Sequence, residues 1–221
     1  GMGGHKAGEV ASQTAVEVIE REYRGARGTP GEALDRAFHR AHREILRLAA
    51  GDPGLKGMGT TCTALALAGR QAWAAHVGDT RLYLVRNGAI YQLSEDHTQC
   101  MELVRRGVMT LTEAHQHEDR NILVRAMGTR PALEPMIWRE PMAVRAGDAF
   151  VLCSDGLHDL VDGAEIREVV AGAAPDDACR RLVQMARDRG GYDNLTVAIA
   201  RVPAPETAAP LQPTRSLEVS E

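Results

Sequence analysis

The sequence predicts an α+β fold built on antiparallel sheet, and three observations carry that prediction. Small and apolar residues recur at helical spacing from Ala7 to about Tyr23, and again beyond Pro30. The period then shortens to that of strands after Thr60. Finally, Asn87-Gly88 sits between two strand-like runs, Leu82–Arg86 and Ala89–Leu93. Such a pair suits a type I′ turn, which needs positive φ at both positions and joins neighbouring antiparallel strands.

The elements follow in order. The first helix carries Ala7, Ala11, Ala15, Val18 and Ile19 on one face, and its small residues permit close packing on a sheet. Pro30 opens the second, with Leu34, Ala37, Phe38, Ala41, Ile45 and Leu48 on its apolar side, and Gly51-Asp-Pro-Gly54 ends it. Thr60 to Ala68 and Trp73 to Val77 read as strands joined at Gly69-Arg70-Gln71, and the hairpin follows. Asp96 with Gln99 has the pattern of a capping box opening a short helix that Gly107 ends, and Thr110 with Glu113 opens another. The stretch from about 96 to 130 is rich in His, Arg and Glu and reads as an insertion lying over the sheet. Leu133–Arg139 and Ala149–Cys153 return to strand character. Helices are expected at about 163–171 and 176–189, and Asn194–Val202 is a last apolar strand. Beyond Pro203 the composition turns to Pro, Ala, Thr, Ser and Glu, which predicts one domain over residues 1–202 and a flexible tail over 203–221.

Composition narrows the class. The chain has 221 residues, 44% hydrophobic and 25% charged, which suits one globular domain with a buried core. A formal net charge of −4 argues against nucleic acid as a partner. No apolar run approaches the roughly 18 residues of a membrane span, and no signal peptide is evident, so no membrane partner is expected. The four cysteines (Cys62, Cys100, Cys153 and Cys179) lack CxxC spacing and read as reduced core thiols of a cytoplasmic protein.

Three short segments stand out: Gly1-Met-Gly-Gly-His5, Ser154-Asp-Gly-Leu157 and Gly191-Tyr-Asp-Asn194. Asp155 follows the buried run Phe150–Ser154, and Asp193 precedes the last strand. A carboxylate at the lip of a sheet is costly unless paired, and a hard divalent cation is its natural partner where carboxylates converge without imidazole or thiolate. Each aspartate also has a plainer reading, a helix cap for Asp155 and an Asx turn for Asp193. Asp79, in Val77-Gly-Asp-Thr-Arg81, is equally explained by a turn. His115-Gln-His117 suggests zinc but lacks a third ligand nearby and reads as an exposed helix end. His5, His76 and His97 read as structural or supporting groups, and Arg105-Arg106 as a solvated helix face.

Taken in order, GMGGHKAGEVAS, GMGTTCTALAL, HVGDTRLYLVRNG, LSEDHT, LCSDGLHDLV and GGYDNLTVAIA resemble the bacterial branch of the metal-dependent Ser/Thr protein phosphatases, the PPM or type 2C family. The resemblance runs from Gly1 to about Val202. It implies a four-layer sandwich: two antiparallel sheets face to face, with helices on both outer sides. It implies two or three Mn²⁺ or Mg²⁺ ions, with Gly1 (through its carbonyl), Asp155 and Asp193 as ligands of the main pair, and Asp79 with Asn121 near a third. Asp155 and Asp193 would then hold the nucleophilic water through metal. It also implies phosphorylated Ser/Thr proteins as substrates and a cognate Ser/Thr kinase in the same pathway. A monomer is expected.

The chain departs from the family pattern at its start. Relatives carry two strands and a loop before GMGGH, including an aspartate that bridges both metals, and these are absent from the 221 residues. The expectation is impaired catalysis in this chain as written. The alternative is a non-catalytic phosphoprotein-binding or scaffold module on the same fold. A zinc protein using His115, His117 and cysteines is a third reading.

Overall fold

The computed structural model describes residues 1–2 and 5–203, with His5 and Lys6 described in backbone only. The expected tail and the Gly3-Gly4 part of the first motif lie outside the described residues.

The two N-terminal helices form as their spacing predicts. Helix α1 spans His5–Gly25 and α2 spans Pro30–Gly51. Thr29 caps α2 in a capping box with Glu32, and Pro30 occupies the first turn, where its missing N–H costs nothing. Strands β1 (Cys62–Ala68) and β2 (Gln71–Val77) pair antiparallel through a turn at Gly69, while the short β5 (Met136–Ile137) and β6 (Met142–Ala143) both pair with β2. The second sheet has the order β4-β3-β7-β8, with β3 (Arg81–Arg86), β4 (Ala89–Gln92), β7 (Ala149–Cys153) and β8 (Val197–Arg201) all antiparallel. Asn87 (φ 52°) and Gly88 (φ 74°) form the hairpin tip in the backbone region that a type I′ turn demands.

Alternation along the central strands builds the layers. In β2, Trp73, Ala75 and Val77 face α1 and α2, where they join Ala11, Ala15, Phe38, Ala41 and Ile45 in one apolar cluster. The intervening Ala72 and Ala74 face the other sheet and meet Leu82, Leu84 and Phe150. In β3 and β7, Tyr83, Val85, Ala149, Val151 and Cys153 point the opposite way. There they pack under α5 (Asp155–His158), α6 (Gly163–Gly172) and α7 (Pro175–Asp188), which supply Leu157, Ile166, Val170, Leu182 and Ala186. Two helix layers thus enclose two antiparallel sheets, the four-layer sandwich that was expected. Among the described residues, no helix is long and apolar enough to cross a membrane.

Several local expectations need correction. Asp96 does not cap a helix. Thr98 caps α3 (Gln99–Arg105), accepting from Met101 N–H, while Asp96 is taken by Arg81. The run Leu133–Arg139 yields only β5, because Pro135 brings no N–H to a ladder. The last strand begins at Val197 rather than Asn194, since Asn194 belongs to the loop packed on α5. All four cysteines are free, but only Cys100 and Cys153 are buried, while Cys62 and Cys179 are half-buried. The 96–130 stretch carries α3 and α4 (Leu111–Gln116), the latter opened by the Thr110–Glu113 box, and the two line a cavity together with Arg81 and Tyr83 of β3 and Gln92 of β4.

Candidate metal centre

Asp155 is the first residue of α5, at the C-terminal end of buried β7. The preceding residue, Ser154, makes no capping bond into α5. Its hydroxyl instead donates to the Asn194 carbonyl at 3.2 Å and accepts the Thr196 N–H at 3.0 Å. The backbone adds Ser154 N–H to the Thr196 carbonyl at 3.0 Å. Segments forty residues apart are thereby joined, and Asp193 is held beside Asp155. Gly156 completes the junction: a Cβ there would lie 2.6 Å from the Asn194 carbonyl oxygen, so no larger residue fits without moving the loop.

Asp79 enters from the β2–β3 turn and is 8% exposed. Gly78 makes the turn possible with φ +108° and a closest approach that would put a Cβ 2.2 Å from Thr61 Cγ2. Two imidazoles brace this turn. His97 Nδ1 accepts the Gly78 N–H at 3.1 Å, and the His97 N–H donates to the Gly78 carbonyl at 2.7 Å. From the other side, His158 Nε2 lies 2.9 Å from the Asp79 carbonyl oxygen and bonds to it. His76 stacks near His97, ring centroids 4.9 Å apart, and bonds Thr63 Oγ1 and the Glu95 carbonyl.

The electrostatics follow from this placement. Burial, and then the neighbouring charge of Asp155, push the Asp79 carboxyl up to about 6. Burial also raises Asp155, with the charge of Asp193 adding to it and the Gly156 N–H working against it. Three carboxylates are therefore joined in series, Asp79 to Asp155 to Asp193, and the buried Asp79 and half-buried Asp155 are pushed toward their neutral forms. Asp159 behaves oppositely. It is held at about 2, first by His158, whose Nδ1 lies 3.4 Å away, and also by Asn121 and Arg120. Asn121 Nδ2 donates to Asp159 Oδ2 at 3.2 Å, and Arg120 lies 3.3 Å from the same oxygen.

Asp79, His158 and Asp159 line one side of a cavity of about 580 Å³, with Met101, His115 and Asn121 on the other; Asp155 and Asp193 are not part of its lining. Arg81 also lines it, but its guanidinium is bound to Asp96 by contacts of 2.6–3.0 Å.

Of the residues expected at the site, Asp79, Asp155 and Asp193 are electrostatically joined, and Asn121 shares the cavity of Asp79. Gly1 packs on the backbone of Gly8 in the first turn of α1, where a Cβ on Gly1 would overlap the Gly8 carbonyl. Neither plain alternative describes what is seen: Asp155 is the first helical residue, after the capping position, and Asp155 Oδ1 and Asp193 Oδ1 accept only the N–H of the next residue, Gly156 at 2.9 Å and Asn194 at 2.6 Å, rather than making a capping bond or an Asx turn. His115 is exposed at the end of α4, and His117 binds the Asp119 N–H. His76 and His97 have the structural roles expected of them. Sequence reasoning missed Asp159 and His158, although both lie within four residues of Asp155.

The donor set fits a hard divalent cation. Its oxygens are carboxylates, and a cation among them would relieve the repulsion that raises Asp79 and Asp155. Among the described residues, no group of three or more His, Cys, Asp or Glu is gathered closely enough to hold a metal ion.

A family model described as Protein phosphatase 2C matches residues 1–197. The serine/threonine protein phosphatase PstP of Mycobacterium tuberculosis is 38% identical over 203 residues, 91% of this chain and 39% of that protein. The chain thus spans well under half the length of that relative. The protein phosphatase PhpP of Streptococcus pneumoniae is 35% identical, across 90% of this chain and 82% of its own length. Among solved structures, the M. tuberculosis PstP/Ppp phosphatase superposes with a TM-score of 0.85 at 36% identity, covering 92% of this chain and 86% of that one. The PstP catalytic domain in complex with two manganese ions gives 0.81 at 36% identity, covering 92% and 85%.

Proposed function

Because the chain belongs to the protein phosphatase 2C family, we propose that it hydrolyses phosphoserine and phosphothreonine on proteins with Mn²⁺ or Mg²⁺ as its ions. The observation that carries this reading is the series Asp79–Asp155–Asp193 at the edge of the sandwich, in which burial raises the pKa of Asp79 and Asp155, helped at Asp79 by the charge of Asp155 and at Asp155 by that of Asp193. Asp155 and Asp193 would hold the main ions, Asp79 a third, with Asn121 acting through Asp159 and Gly1 through its carbonyl.

Two such ions, when bound, supply an acidified water and neutralise the non-bridging oxygens of the phosphoryl group. The chain's own residues do the rest. Ser154 keeps Asp193 against Asp155, while His97 and His158 fix the turn that presents Asp79. The α3–α4 layer walls the cavity on the substrate side, and Asn121 and Arg120 tie that layer to α5 through Asp159. Residues 1–202 make up the phosphatase domain and 203–221 a tail. The protein acts as a cytoplasmic monomer opposite a Ser/Thr kinase.

The chain alone is expected to work poorly, because no closed set of three protein ligands is gathered among its described residues. The same observation favours the second reading, a phosphoprotein-binding module without turnover. Mn²⁺-dependent hydrolysis of p-nitrophenyl phosphate and a phosphothreonine peptide separates them. The 221-residue chain is assayed beside a version extended upstream by an aspartate-bearing segment, with Asp155→Ala in each. Turnover in the extended protein alone, abolished by Asp155→Ala, supports an enzyme impaired as written. Peptide binding without turnover in both supports the module. Full turnover by the 221-residue chain defeats the impairment.

A further inference from the structure

A second cavity lies on the far side of α3 from the metal centre. Cys100 and Met101 of α3 border the first cavity, whereas Glu102 and, just past the helix end, Arg106 border the second. The rest of its wall comes from the two segments that follow Leu123, carrying Arg125, Arg130, Leu133 and Glu134. Its volume is about 580 Å³. Nothing in the proposed reaction uses it.

Its charge is unusual for this chain. Three guanidiniums from separate positions face two carboxylates, in a protein of net charge −4. Those carboxylates compensate poorly. Glu102 is shared by Arg105 and by Arg106, which stands 3.4 Å away. Glu134 is 78% exposed and reaches only to 3.9 Å from Arg125, too far for a hydrogen bond. Arg125 is the telling residue. Its side chain is only 28% exposed, yet its donors make no hydrogen bond among the described residues. Arg130 makes neither a hydrogen bond nor an ion pair among them. A buried Leu133 and Ala126 form apolar wall beside these groups, which strengthens any charge interaction made there.

We propose that this cavity binds a phosphoryl-class oxyanion, held by the forks of Arg125 and Arg130 with Arg106 at the rim. A planar guanidinium matches two oxygens of a tetrahedral anion; the part-buried Arg125, without a hydrogen-bonded partner, gains most from one, and the exposed Arg130 offers a second fork. The anion is either a phosphorylated side chain of a protein or free inorganic phosphate. The inference stands on the cavity and holds whether or not the chain is catalytic.

The test is a titration of the ¹⁵N-labelled 221-residue chain in EDTA, so that the metal centre contributes nothing. Arginine Nε–Hε resonances are followed as inorganic phosphate, a phosphothreonine peptide, or sodium chloride of matched ionic strength is added. Saturable shifts at Arg125 and Arg130 with phosphate and not chloride are expected. Arg130→Ala should weaken binding about tenfold, and Arg125→Lys, which keeps the charge and loses the fork, by a similar factor. Shifts reproduced by chloride, or indifferent to both substitutions, overturn the site. Tighter binding of the peptide than of free phosphate assigns a protein-borne group, and tighter binding of free phosphate assigns the small anion; either result supports the site.

Discussion

Ser154 and Asn194 are joined by a hydrogen bond of 3.2 Å from the serine hydroxyl to the asparagine carbonyl, forty residues apart in the chain. The bond matters because each residue adjoins a carboxylate of the candidate metal centre, Asp155 on one side and Asp193 on the other. The same hydroxyl accepts the Thr196 N–H, so one small side chain fixes the loop from both ends.

Ser154→Ala removes both side-chain bonds and leaves the Thr196 N–H without its partner. Because both bonds are solvent-exposed, the expected cost to stability is about 0.5–1.5 kcal/mol, read from urea unfolding. The larger effect is on ion binding: Mn²⁺ affinity, measured by calorimetry, falls at least about tenfold, and turnover falls with it.

Gly78→Ala tests the turn that carries Asp79. The added Cβ meets Thr61 Cγ2 at 2.2 Å, at φ +108°, so both contact and backbone oppose it. A loss of about 2 kcal/mol or more is expected. Gly88→Ala is the comparison: its φ is +74° with open space around it, and the loss should be smaller, about 1 kcal/mol.

Acid should destabilise the fold through His76 and His97. Burial lowers His76 to about 4, and burial with the charges of His76, Arg125 and Arg105 lowers His97 to about 3. The unfolded chain takes up these protons below about 6.5 while the folded chain does not. The two imidazoles' contribution is therefore complete above pH 6.5 and lost as pH falls, through about 4 for His76 and about 3 for His97, with a slope approaching about 1.4 kcal/mol per pH unit for each. Asp79 and Asp155 act in the other direction. Raised carboxyls bind more protons folded than unfolded, so their contribution is complete below the unfolded value near 3.8 and is lost as pH rises, for Asp79 through about 6. Unfolding of Asp79→Asn/Asp155→Asn between pH 7 and 4.5 isolates the histidine effect. A flat profile there would remove it.

Ion uptake should also follow pH. With Asp79 held at about 6, binding at that carboxylate displaces a proton below this value and none well above it. Mn²⁺ affinity should rise from pH 5 to 7 and level off, and Asp79→Asn should remove that rise. Proton release measured in two buffers of different ionisation enthalpy checks it.

Much of the fold was legible because its signals are local. The Asn87-Gly88 tip, the Thr110–Glu113 box and the apolar stripe of α2 depend on residues within one turn or a few turns of each other, and all appear as expected. Ordered together, the motifs were specific enough to imply the four-layer arrangement. Asp155 and Asp193 could be singled out because each stands at the end of an apolar run beside glycine or a polar neighbour.

What sequence left open, tertiary structure decided by assigning partners across long separations. Asp96 has the local pattern of a helix cap, yet Arg81, nearly buried and needing a counter-charge, takes both its oxygens and leaves the cap to Thr98. Asp159 and His158 gain their roles only when Asn121, Arg120 and Asp79 arrive from other segments. The arginine-lined cavity likewise exists only because the chain after Leu123 folds back beside α3. Backbone preference is set by neighbours along the chain, whereas the cost of burying a charge is settled by whichever group can reach it. That is why the elements could be read from the sequence by itself and the pairing of their charges could not.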